Sequence, residues 1–208
     1  RGKFYHRYGY GNLRDYPLAD DKYAIEQLAD RYSFIDITKV GIFGHSGGGF
    51  MSTAALCTYP DFYTAAVSSS GNHDNNIYNN GWVEIHHGVK ETKEMVKDSV
   101  NGDHEVSKFS VKVPTNMELA KNLKGHLLLV TGDMDKNVHP AHTLRMVDAL
   151  IKAGKNFDML VLPGKTHGYG SADGFFERRL WFHFAKYLLG DTTADHYGNI
   201  EEYKGIEN

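Results

Sequence analysis

Cysteine is almost absent from this chain: Cys57 is the single one among 208 residues, so no internal disulfide contributes and packing must hold the fold. Cys57 falls on the apolar side of an expected helix, where cysteine acts as a small buried hydrophobe. No stretch approaches the roughly 20 apolar residues needed to cross a bilayer, and the opening residues lack the charged-then-apolar pattern of a leader. No membrane contact is expected from this segment. Basic charge is not in excess either, since 23 Lys and Arg stand against 26 Asp and Glu for a formal charge of -3. The cations are scattered, which argues against a nucleic-acid partner. An initiator methionine is missing too: RGKFYHRYGYGNLRDYP starts in mid-pattern, as expected of a piece of a longer protein.

What the chain does contain is 41% hydrophobic and 12% aromatic residues, enough for one sizeable core and too few residues for two. One domain over 1–208 is expected. Leu18, Tyr23, Ile25, Leu28, Ala29 and Tyr32 recur at helical spacing over 18–32. VGIFG at 40–44, FYTAAVSSSG at 62–71, HLLLVTG at 126–132 and FDMLVLPG at 157–164 read as buried strands. Helices are expected from Ser46 to about Tyr59, over 115–123, over 141–153 and from Gly174 to Leu189, the last with Phe175, Phe176, Leu180, Trp181, Phe184 and Leu188 as its core face. The stretch 72–88 reads as loops, 91–99 as a short charged helix, and the end as a polar tail. Strands alternating with helices predict an α/β fold, a mainly parallel sheet with helices on both faces. Its first strand, VGIFG, would leave one sheet edge without a neighbour, which fits missing early strands.

Between that strand and the next helix lies Gly44-His45-Ser46-Gly47-Gly48-Gly49, a G-x-S-x-G arrangement in which a serine sits on a sharp, strained turn. Gly44 and Gly48 are the positions where a Cβ is expected to clash, and Gly47 is placed to donate its backbone N–H to a developing oxyanion at the helix start. Such an elbow needs an acid and then a histidine, each on a loop after a later strand. Asp133 and Asp135 follow HLLLVTG, and His167 follows FDMLVLPG. Asp135 precedes His167 by 32 residues, room for one helix and one strand, so all three groups return to one sheet edge. Among the other histidines, His86-His87 and His139 with His142 have no acidic or cysteine partner at a ligand spacing, so no metal is expected. The triad supplies nucleophile, base and charge stabilisation, so no cofactor is called for. Tyr78 and Trp82 read either as pocket lining or as aromatics plugging the core.

GHSGGGF, GDMDKNVHP and PGKTHGY together resemble the C-terminal catalytic domain of the prolyl oligopeptidase family of serine peptidases, in its dipeptidyl peptidase IV branch, and with it the α/β-hydrolase fold. The likeness runs from Arg1-Gly2 to the final helix. It implies Ser46 as nucleophile, His167 as general base and later acid, and Asp135, rather than Asp133, as the group that fixes the imidazole. It also implies Asn137 as a contact to a substrate carbonyl, Val138 as a wall of the S1 pocket, and Tyr78 and Trp82 as its aromatic residues. The branch carries tryptophan and tyrosine where this chain has His45 and Gly47, so one aromatic wall of a proline-shaped pocket is absent. The family's second oxyanion donor, its early strands and its β-propeller would lie upstream of residue 1. The resemblance further implies a peptide substrate, a homodimer and a periplasmic or extracellular parent. A carboxylesterase or acyl-aminoacyl hydrolase on the same elbow, and a non-catalytic assembly domain, are the alternative readings.

Overall fold

The computed structural model describes residues 2–111 and 113–193; Arg1 and most of the polar tail lie outside the described residues. In chain order the elements are α1 (Gly2–His6), α2 (Leu18–Arg31), β1 (Val40–His45), α3 (Gly47–Thr58), β2 (Tyr63–Ser69), α4 (Asn80–His87), β3 (Lys90–Val96), β4 (His104–Ser110), β5 (His126–Gly132), α5 (Ala141–Lys152), β6 (Asp158–Leu162) and α6 (Asp173–Phe184). Strands β1, β2, β5 and β6 form one parallel sheet in the order β1-β2-β5-β6. The reason lies in β2 and β5, whose residues are buried on both faces. Ala66, Leu127 and Leu129 pack with Ala54–Cys57 of α3 and with Met146 and Leu150 of α5. Val67, Leu128 and Val130 point the other way, onto Leu180 of α6 and Tyr169. Successive residues of one strand thus feed two cores, which is why the run HLLLVTG is apolar without alternation.

Three expectations are corrected. Residues 91–99 do not form a helix: β3 and β4 make an antiparallel hairpin in which Lys90 pairs with Ser110 and Val96 with His104. Its charges match across strands, Lys93 with Glu105 at 2.7 Å and Lys108 with Glu94 at 2.5 Å, while Asp98 caps the connection by accepting from Val100 N and Asn101 N. Lys90, Lys93 and Lys97 recur at the three-to-four spacing of a helix, so it is the complementary strand 14 to 16 residues on that decides the outcome. Within the expected loop 72–88, α4 forms because the Asn79 side chain accepts from Trp82 N at 3.1 Å and starts it. Finally, α6 ends at Phe184 and the chain widens into a π turn over Ala185–Leu189. Trp181 is not core but 67% exposed, while Leu180 is buried.

One side chain ties the opening segment to this body. Arg14, only 8% exposed, grips Asp15 in a fork (2.6 and 3.0 Å) and donates to Thr115 O (2.7 Å) and Glu118 (3.1 Å). Thr115 and Glu118 are the two halves of a capping box on the 3-10 turn Asn116–Asn122.

Candidate active site

Ser46 stands between β1 and α3 with φ 58 and ψ -121. Positive φ is unusual for a serine, and its surroundings must hold it there. Ser46 N donates to Ser69 O at 2.8 Å, while Ser46 O accepts from Phe50 N at 3.0 Å. Gly44 is required: a Cβ there would lie 2.4 Å from the carbonyl carbon of Gly48. The second required glycine is Gly49 rather than Gly48, because its Cβ would sit 2.5 Å from Ser69 O, whereas Cβ atoms on Gly47 and Gly48 would meet nothing within 4 Å. The close approach is made by the helix against β2, one residue further on than the motif suggests. Gly47 opens α3, where a backbone N–H has no intrahelical partner.

Asp135 lies on the loop after β5 and is 1% exposed. Its Oδ1 accepts from Asn137 N and Val138 N, both at 2.9 Å, and its Oδ2 meets His167 Nδ1 at 2.8 Å. Such a carboxylate fixes the ring with its proton on Nδ1, leaving Nε2 as an acceptor. Asp133 serves a different end. Its Oδ1 accepts from Gly164 N at 2.6 Å, and with Met134 N donating to Lys165 O at 3.0 Å it joins the aspartate loop to the histidine loop. Among the described residues the Ser46 hydroxyl makes no hydrogen bond, so the serine–histidine link is open. In unliganded sites that link is often long and closes with substrate.

Tyr78, Trp82 and Asn137 come together beside this pair. Tyr78 donates its hydroxyl to Asn137 Oδ1 at 2.8 Å, and its ring meets that of Trp82 edge-on at 5.3 Å. Burial and nearby Asp135 raise the Tyr78 pKa. Val138 is 1% exposed, so it lies beneath the loop surface. His86 and His87 pack against Trp82 with ring centroids at 4.4 and 5.9 Å, His139 Nδ1 accepts from Ala141 N, and His142 is buried. Among the described residues no group of three His, Cys, Asp or Glu is arranged to hold a metal ion.

The floor of the site is a polar network that sequence reading did not find. His73, fully buried, receives Asn116 Nδ2 at 3.0 Å and lies 3.4 Å from Ser68 Oγ. Asp74 accepts from Arg145 at 2.5 Å, and Asp74 N points to His142 Nδ1 at 3.4 Å. Burial drives the His73 pKa down to about 3 and that of His142 to about 4. The only signal in the sequence was the polar run SSSGNHDNN continuing a buried strand, which reads equally well as a loop.

A parallel sheet with a serine on the turn into a helix, and an aspartate and a histidine after the two later strands, defines an α/β-hydrolase domain. The chain belongs to the prolyl oligopeptidase family, whose sequence profile matches residues 1–192. It is similar to dipeptidyl peptidase 8 of Homo sapiens, 30% identical over 179 residues that make up 85% of this chain and 19% of that protein. Two solved structures share the fold. One is a provisionally assigned dipeptidyl aminopeptidase IV of Bacteroides ovatus, with a TM-score of 0.75 at 24% identity over 90% of this chain and 25% of the other. The second is Porphyromonas gingivalis dipeptidyl peptidase 4, with a TM-score of 0.71 at 25% identity over 91% of this chain and 25% of that one. The chain therefore spans about a fifth to a quarter of the length of these relatives.

Proposed function

We propose that this chain is the catalytic segment of a dipeptidyl-peptidase-like serine peptidase. The observation that carries the reading is the buried Asp135 carboxylate, bonded to His167 Nδ1 at 2.8 Å and anchored by two backbone N–H groups, at the same sheet end as the strained Ser46. Ser46 Oγ attacks the scissile carbonyl while His167 Nε2 takes its proton, and the C–N bond breaks as that proton passes to the leaving amine. Water then enters by the same route, releasing the acyl group and restoring Ser46. Asp135 stays ionised and keeps the imidazole oriented. Gly47 N–H stabilises the oxyanion, a contribution worth on the order of 10²–10³ in kcat for one donor.

Asn137, its Oδ1 held by the Tyr78 hydroxyl, is suited to bind a peptide carbonyl through its Nδ2, and Tyr78 and Trp82 to border the P1 side chain, whereas Val138, 1% exposed, lies beneath the loop and lines no pocket wall. With no side chain at Gly47 and open space around it, the P1 pocket accepts shapes broader than proline. Family resemblance also supports a homodimeric parent located in the periplasm or outside the cell.

The test is labelling of the full-length protein with a fluorophosphonate, with Ser46→Ala as control, followed by turnover of dipeptidyl amides with free and acetylated amino termini. Labelling lost in Ser46→Ala, with turnover only of the free amines, supports the peptidase. Equal turnover of simple esters and acetylated substrates favours the esterase reading. No labelling at all favours a domain kept for assembly.

A further inference from the structure

The histidine loop leaves β6, at the sheet edge opposite β1, yet His167 must meet Ser46 at the end of β1. Three strand spacings of about 4.8 Å separate those strands, roughly 14 Å in all. Some contact must hold the loop in place across that gap. The residue before the serine provides one. His45 pairs in register with Ser69 at the ends of β1 and β2, and its Nδ1 lies 2.8 Å from Ser69 Oγ. Ser69 Oγ lies 2.7 Å from the hydroxyl of Tyr169, which lies 3.0 Å from Ser70 Oγ. Tyr169, two residues beyond His167, is 2% exposed. The His45 ring meets those of His167 at 4.6 Å and Tyr169 at 5.6 Å between centroids.

Resting on the triad reading above, we propose that His45 is a positioning residue: through Ser69 and Tyr169, and by ring contact with His167, it fastens the histidine loop to the serine strand. In the neutral ring with its proton on Nε2, Nδ1 is left to accept. Ser69 then donates to His45 Nδ1, Tyr169 donates to Ser69, and Ser70 donates to Tyr169, so each hydroxyl in the chain gives a bond and Ser69 and Tyr169 also accept one. Protonation of Nδ1 breaks this order, because Ser69 must then turn round and accept. It also sets a positive charge against the ring that has to become cationic during catalysis. The charged or titratable groups facing His45 are His167, Asp135, Asp173 and Tyr169. Burial and the neighbouring His167 favour its neutral form, which Asp135 and Asp173 oppose.

The experiment compares His45→Phe, His45→Gln and Tyr169→Phe in the full-length protein. Its readouts are the rate of fluorophosphonate labelling against pH and hydrogen exchange over residues 164–170. His45→Phe keeps a ring in place and removes the bond to Ser69; the expected result is labelling slowed at least tenfold and faster exchange in the loop, with β6 unchanged. His45→Gln, which retains donor and acceptor, should recover part of the rate while losing the acid limb that His45 contributes. Tyr169→Phe should act in the same direction, and combining it with His45→Phe should add little. The proposal is overturned if His45→Phe and Tyr169→Phe leave loop exchange at the original rate, whether or not the protein is labelled. It is equally overturned if labelling remains Ser46-dependent and its rate and pH profile are indifferent to His45. Labelling that persists in Ser46→Ala, or is absent from the unmodified protein, refutes the triad reading instead, and loop exchange still decides the role of His45.

Discussion

Acidification from about pH 8 to about pH 5 should cost this chain about 4 kcal/mol of stability through two buried histidines. Burial holds His73 at a pKa of about 3 and His142 at about 4 in the folded state, against about 6.5 in an unfolded chain. A histidine depressed in this way is neutral when folded, so below its unfolded pKa the unfolded state binds the extra proton. Its contribution is complete above about pH 6.5 and fades as pH falls towards the folded value. For each group the loss at pH 5 is RT ln(1 + 10^1.5), about 2 kcal/mol. His45, His87, His126 and His183 are shifted in the same direction by burial. Against a typical total of about 5–15 kcal/mol, that is a large fraction. Urea unfolding followed by tryptophan fluorescence at the two pH values measures it. Replacing His73 by Asn should lower stability at pH 8, because the Asn116 bond at 3.0 Å is disturbed, and should remove about half of the pH-dependent drop. A change between pH 8 and pH 5 below about 1 kcal/mol, or no flattening in His73→Asn, would refute the account of a buried neutral floor.

Three further outcomes follow from the geometry. Gly48→Ala should fold and label with a fluorophosphonate much like the original, whereas Gly49→Ala should unfold several degrees lower, since its Cβ meets Ser69 O at 2.5 Å; equal melting curves would contradict this. Asp135→Asn should lower kcat by about 10⁴ while leaving KM nearly unchanged, by analogy with loss of the orienting carboxylate in other serine triads. Asp133→Ala, which cuts only the loop tie to Gly164 N, should cost far less, and a reversed order in steady-state kinetics would exchange the roles of the two aspartates. Arg14→Ala should destabilise by about 1–2 kcal/mol in chemical unfolding, because Thr115 O and the two carboxylates lose a guanidinium donor, while Asp15 and Glu118, 40% and 53% exposed, stay solvated.

Much of the architecture was legible because it depends on local pattern. Continuous apolar runs at 40–44, 126–132 and 157–164 mark strands, and Ser46, Asp135 and His167 each follow such a run; burial on both faces holds for β5 but not for the two edge strands, where Phe43 and Val161 are exposed. The hairpin over 90–110 was misread because KETKEMVKD has an equally good helical face, and only its partner strand selects the extended form. Helical spacing places both Leu180 and Trp181 on the core face of α6, and the structure buries Leu180 while leaving Trp181 exposed.

The amino-acid sequence by itself determined the four parallel strands, the serine turn, and an aspartate-bearing and a histidine-bearing loop after the later strands, since these depend on residue type and short spacing. Only the tertiary structure decided which glycine is sterically required, since that depends on how closely α3 approaches β2. It also decided that Asp133 ties loops while Asp135 holds the imidazole, and that His45, Ser69 and Tyr169 meet across the sheet. Those facts depend on distances between residues as many as 100 positions apart, which follow from the register of the strands and have no trace in local pattern.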